Sequence, residues 1–142
     1  MTAFFETDNQ NAILDTYWGG AAFTPAPPGT WYIALFTTMP AADGSGGVEA
    51  TFSGYARAAV ANDLTQWPAA SGGAKSNANE IDYGTAGSGP ETIVGFGFYS
   101  DPTSVLEADF YAAVDVTGGT VVVNNGAIVK FPAGAIDLTG CA

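Results

Sequence analysis

TWYIALFTTMPAADGSGGVEATFSGYARAAV, residues Thr30–Val60, is the stretch on which the fold turns. Two strand-like runs, Trp31–Thr37 and Tyr55–Ala61, flank a glycine-rich acidic loop, Met39–Ala50. Within Trp31–Phe36 the side chains Trp31, Ile33 and Leu35 share one face, and Tyr32, Ala34 and Phe36 share the other. A strand that is apolar on both sides belongs in the middle of a sheet with a cover on each face. The helix that precedes it is the expected cover for one of them. The loop carries Pro40, Asp43 and three glycines, a composition with little intrinsic reason to be rigid, so it is the expected contact surface.

Upstream lies the one helical pattern. Thr7 and Gln10 have the spacing of a capping box, in which each side chain satisfies a free N–H of the first turn. Ile13, Leu14, Tyr17 and Trp18 then fall on one face, and Gly19-Gly20 supplies a left-handed stop. Trp18 and Trp31 are expected in the core, and Phe4 and Phe5 on an arm that reaches a neighbour.

Downstream, Asn62–Asn79 is polar and anchored by Leu64 and Trp67, with Trp67 also the tryptophan best placed for a partner contact. Glu80–Tyr83 alternates. Thr92–Tyr99 sets Gly95 and Gly97 opposite Val94, Phe96 and Phe98, which calls for a close neighbour on the glycine face, with Trp31 or Trp67 as candidates. Phe110–Val116 has the pattern of a half-buried strand. Val121–Phe131 reads as a hairpin about Asn125-Gly126, a pair suited to a type I′ turn. Ala135–Leu138 closes the series.

About seven or eight short strands punctuated by turns indicate a mainly β chain, an antiparallel β-sandwich of jelly-roll-like or Ig-like type with one short N-terminal helix. The chain reads as a single domain over 1–142, with arm and helix in 1–20 and strands in 30–138. No internal repeat is visible.

Composition narrows the function. Hydrophobic residues make up 47% of the 142-residue chain and charged residues only 12%, so part of the apolar surface is expected to meet a partner. Fourteen acidic residues face three basic ones, Arg57, Lys75 and Lys130, for a net charge of −11. Phosphate backbones are bound by clustered Lys and Arg, so nucleic acid is excluded as a partner. No run approaches the ~18 apolar residues of a membrane span, so no membrane partner is expected. The start, MTAFFETDNQ, has neither the basic nor the apolar region of a secretory signal, and translation is expected to begin at Met1. Cys141 is the single cysteine, which leaves no intrachain disulfide and no cysteine-based zinc site.

Catalytic machinery is equally sparse. The chain has no histidine, which removes Ser-His-Asp, Cys-His and His-zinc chemistry, and it has no phosphate-binding loop. Two acidic pairs, Glu107 with Asp109 and Glu80 with Asp82, have strand spacing compatible with a glycosidase. Their surroundings are those of solvated strand ends, which is the preferred reading. Asp43–Glu49 offers oxygen ligands on a flexible loop, as calcium favours, yet matches no calcium-loop pattern. No enzyme, cofactor or metal site is expected.

Five patches carry a family resemblance in this order: Trp18-Gly19-Gly20-Ala21-Ala22-Phe23-Thr24-Pro25, Trp31–Pro40, Ser53–Arg57, Ile93–Tyr99 and Val129–Ile136. Together they resemble a family of small tailed-bacteriophage virion proteins, often labelled tail-fibre or minor structural proteins, over most of the chain. The resemblance implies a non-enzymatic β-rich virion component made in the bacterial host cytoplasm, and no catalytic residues. The leading expectation is a capsid decoration (cement) protein that binds and stabilises the outer shell. It forms a dimer or trimer with itself and contacts the major capsid protein. The alternative is a tail or baseplate component, a fibre or receptor-binding module. A long fibre would show heptads or repeats, and neither is present. Phe4, Phe5, Asp43, Glu49 and Trp67 are the expected interface residues, and Arg57 the expected structural ion pair.

Overall fold

The computed structural model describes residues 3–23 and 26–139. Its centre is β2 (Thr30–Thr38), the longest strand among the described residues. One edge of β2 pairs antiparallel with β8 (Gly95–Tyr99), in a register that runs from Tyr32 opposite Tyr99 to Phe36 opposite Gly95. The other edge is shared. β4 (Ala58–Ala61) takes Thr30–Ile33, and β3 (Val48–Glu49) takes Phe36–Thr38 across a register shift. Beyond β8 come β9 (Phe110–Asp115) and then β1 (Ala3–Phe5), which forms the outer edge.

Three two-stranded ribbons form a second layer. They are β5 (Ala74–Ser76) with β12 (Asp137–Thr139), β6 (Ile81–Thr85) with β11 (Ile128–Phe131), and β7 (Glu91–Ile93) with β10 (Val121–Val123), all antiparallel. Ile33, Leu35, Phe96, Phe98 and Val114 of the large sheet meet Ile81, Tyr83 and Val123 of the ribbons, and Ile136 just before β12, in one core. The architecture is therefore a mainly β antiparallel sandwich with one N-terminal helix, as the strand pattern predicts.

β2 is covered on both faces: Ile33 and Ala34 are fully buried, and Leu35 and Phe36 are nearly so. The cover on the second face differs from expectation. Ala34 and Phe36 pack with Tyr99, Phe110, Ala113, Tyr32, Met39 and Val94. The loop after β2 closes over them, since a Cβ on Gly47 would lie 3.3 Å from the Phe36 ring and one on Gly44 2.9 Å from that of Phe110. The loop after β2 is thus a lid on the core whose outer residues, among them Asp43, Gly46 and Val48, stay exposed, and this loop rather than the helix covers the second face of β2.

The two strand glycines do mark a close approach, but not to a tryptophan. A Cβ on Gly97 would stand 2.6 Å from the Phe36 ring, and Met39 fills the space over Gly95. Trp31 and Trp67 lie on the opposite face, each edge-on to Phe98. Leu64, expected as an anchor, is largely exposed.

Val121–Phe131 is not a hairpin. A type I′ turn needs positive φ at both central residues. Gly126 has φ 81°, whereas no non-glycine residue among those described has positive φ, Asn125 included. Ala127 N–H returns to Asn124 O at 3.0 Å, giving a type II-like turn. Ala86 then bonds to both Gly126 and Ala127, so β10 and β11 diverge to separate partners, β7 and β6.

Asn77 staples this layer. Fully buried, it donates from Nδ2 to Asn79 O and Pro132 O, both at 2.9 Å, and accepts from Ile136 N at 2.8 Å. Asn77→Ala strands the buried Ile136 N–H, while Pro132 O keeps the Ala135 N–H and Asn79 O keeps Gln66 Nε2, so a loss of about 1–3 kcal/mol is expected. Urea denaturation checks it, with an unchanged slope showing that the loss lies in the folded state.

Candidate functional site

The helix α1 (Thr7–Gly19) is capped by Glu6, one residue before the expected Thr7. The Glu6 carboxylate accepts the Asp8 N–H at 2.8 and 2.9 Å and the Asn9 N–H at 3.1 Å. Glutamate reaches two of the free first-turn donors here because Glu6 is held in place from behind, its own N–H bonded to Tyr111 O at 2.7 Å. Gln10 does reach back, donating from Nε2 to Phe5 O at 2.6 Å. Gly20, φ 67°, ends the helix as its sequence predicts, with its N–H on Asp15 O.

The apolar face of α1 is where the structure departs most from expectation. Leu14, Tyr17 and Trp18 share that face as the spacing predicts, but they are 56%, 80% and 87% exposed. Trp18 is therefore a surface residue, and Trp67, expected at a partner contact, is 3% exposed with Nε1 bonded to Ala61 O. Periodicity identifies which side chains share a face and is silent on what covers it. The covered side of α1 carries Asn9, which is buried, and Ala12, Ile13 and Thr16, which are half-buried, so of the expected apolar face only Ile13 turns partly inward; at the root of the helix β1 ties the preceding residues to β9.

At that root three carboxylates converge. Ligand-capable oxygens of Glu6, Asp8 and Glu107 lie within 4.8 Å of one another, Glu6 buried and the other two exposed. Glu107 opens the 3-10 turn Glu107–Asp109 that leads into β9. Asn9 donates from Nδ2 to Glu6 Oε2 at 3.1 Å, while its buried Oδ1 has no hydrogen-bond partner. Sequence spacing misses this cluster because Glu107 stands about a hundred residues from the other two; only the β1–β9 pairing brings them together.

The other expected site residues are scattered. Phe5 is partly exposed on β1, and the Phe4 side chain lies outside the described residues. Asp43 is exposed, and its carboxyl is held below the usual range by the Ser45 hydroxyl and then by the Ser45 N–H. Glu49, far from turning outward, pairs with Arg57, whose guanidinium also donates to Asp101 O at 2.9 Å and lies 3.7 Å over the Tyr99 ring. Asp43 and Glu49 therefore do not converge as a calcium loop. Glu80 and Asp82 both line one open pocket beside β4, together with Gln66, but there Glu80 bonds Lys130 at 2.8 Å and Asp82 accepts the Gly84 N–H; in the other pair Asp109 accepts from Ser100 and Ser104.

No helix among the described residues is long and apolar enough to cross a membrane. No functionally curated protein matches the chain. A family model described as podophage GP4 fiber I protein gp80 matches residues 5–139, a span that includes the capped helix, β2 and its sheet, and the ribbon layer. With that much of its length matched, the chain belongs to the podophage GP4 fiber I protein gp80 family.

Proposed function

We propose that this is a non-enzymatic tail-fibre component of a phage virion, seated on another virion protein through the exposed face of α1. Membership in a phage fibre family supports the virion location and favours fibre over capsid decoration. The observation that carries the docking surface is Leu14, Tyr17 and Trp18, side by side and exposed on a helix of 13 residues. A helix that short draws its stability from packing its apolar face, and Leu14, Tyr17 and Trp18 have no cover among the described residues. Aromatics of this kind are the residues that anchor interfaces.

Size and charge describe the partner. Two aromatics of about 150–250 Å² each come to roughly half of the ~800 Å² per side of a standard interface. The helix is thus an anchor, completed by surface beside it. The chain is at −11, and of its three cations Arg57 is buried and Lys130 is paired with Glu80. A second copy would meet like charge, whereas an apolar groove rimmed by Lys and Arg is complementary.

Trp18→Ala tests this on assembled particles. With the side chain in solvent, the melting temperature is expected to stay unchanged while affinity for the virion falls at least about thirtyfold, the loss of a hot-spot anchor. Quantitative mass spectrometry of purified virions is expected to find tail-like stoichiometry. Hundreds of copies per particle would favour capsid decoration instead. Incorporation of the Trp18→Ala protein at the wild-type level would remove α1 as the anchor.

A further inference from the structure

We infer that the outer edge of β10 pairs antiparallel with the same strand of a second copy, in a register centred on Val122, and so joins two ribbons into one four-stranded sheet. β10 has one strand partner, β7, in an unbroken register from Val121 opposite Ile93 to Val123 opposite Glu91. Among the described residues no hydrogen bond reaches residues 120–123 from outside β7. A free strand edge offers unpaired N–H and C=O groups to any extended chain, and proteins blunt such edges with charge, proline or a bulge. The other ribbon strands follow that rule: β5 carries Lys75, β6 Asp82, β7 Glu91, β11 Lys130 and β12 Asp137. β10 is three valines with none of these devices, and Val121 and Val122 are about half exposed.

Charge identifies the occupant. The chain is at −11, so a second copy is repelled wherever acid faces acid. Residues 116–129 hold no charged side chain, and most are exposed, including Ile128 just past the turn that ends β10. Glu91, opposite Val123, has its carboxylate engaged by the Thr51 and Phe52 N–H groups. Charges farther off are screened beyond about 8–10 Å. The helix α1, by contrast, carries Asp8 and Asp15, so the two surfaces suit different partners. A basic partner, the complement of the acidic surface, gains no attraction at this neutral edge. Antiparallel pairing of identical strands has twofold symmetry and closes after two chains. It also sets valine against valine, side chains that favour the pleated strand. Three residues bury far less than the ~800 Å² per side of a standard interface, so the pairing is weak between free chains. Copies mounted side by side on a virion gain it through their raised effective concentration.

Sedimentation equilibrium of the full chain, with hydrogen exchange at low and high protein concentration, tests the pairing. The mass is expected to rise from that of one chain towards that of two as the concentration approaches about 1 mM. Over the same range, exchange of the amides of residues 120–123 is expected to slow. Val122→Lys sets two cations against each other across the axis and is expected to weaken association at least about tenfold. Its melting temperature is expected to match wild type, because the side chain it replaces is half exposed. Trp18→Ala is expected to associate as wild type does, which separates this edge from docking through α1. A single-chain mass across the whole range, undiminished association of Val122→Lys, loss of association in Trp18→Ala, or growth past two chains would each overturn the pairing.

Discussion

Arg57→Ala is expected to lower the unfolding free energy by about 3–5 kcal/mol, the cost of breaking a buried ion pair from one side. The Arg57 side chain is 3% exposed and that of Glu49 24%. Nε lies 3.1 and 3.2 Å from the two Glu49 oxygens, and a terminal nitrogen also bonds Glu49 Oε1. The other terminal nitrogen serves Asp101 O, and the plane stacks on Tyr99. The pair is wired into the central strand as well: Tyr55 donates to Glu49 Oε2 at 2.9 Å and accepts the Leu35 N–H of β2 at 3.0 Å. Removing the guanidinium therefore strands a half-buried carboxylate and a carbonyl, and strips the cover from Tyr99. Arg57→Lys restores charge but neither the fork nor the stacked plane, so less than half of the loss is expected to return. Denaturant titration of both variants reads this. A loss below about 1 kcal/mol for Arg57→Ala would place the pair with exposed salt bridges, which contribute little.

Cooperative alkaline unfolding is the second large effect. Burial holds the phenols of Tyr55 and Tyr83 protonated well above their ordinary range. Tyr83 donates to Ile33 O at 3.1 Å and Tyr55 to Glu49, bonds that need the proton. In the unfolded chain both phenols ionise near pH 10. The contribution is therefore fully present below about pH 10 and is lost as pH climbs from there towards the folded values. With two such groups the unfolding free energy falls progressively above pH 10, by up to about 2.7 kcal/mol per pH unit while both phenols stay protonated in the fold. Tyrosinate absorbance is expected to rise in one step with the loss of circular dichroism, and Tyr83→Phe to halve the slope. A gradual titration of the tyrosines with the fold intact would contradict it.

Much of the scaffold was legible because it rests on local rules. Alternation in Trp31–Phe36 indicates a doubly covered strand, Gly97 a close approach, and Gly20 the end of α1; each holds. What was not legible depends on competition between segments. The second face of β2 was open to either the helix or the loop, and the loop, linked directly to β2, closes over Phe36 first. Asn125-Gly126 permits a hairpin in isolation, but Ala86 bonds both sides of the turn and sends β10 and β11 to the partners β7 and β6. The two tryptophan roles are exchanged for the same reason. A Trp in a loop finds Phe98, while a Trp on an amphipathic helix finds no free face inside the chain. The carboxylate cluster at the root of α1 is a product of tertiary pairing and leaves no trace in spacing.

A cryo-EM map of the intact virion tests the central claim most directly. The account predicts this fold in the tail at low copy number, with Leu14, Tyr17 and Trp18 of α1 buried in an apolar groove of another virion protein. Density for the fold across the capsid lattice, with α1 directed into solvent, would contradict it.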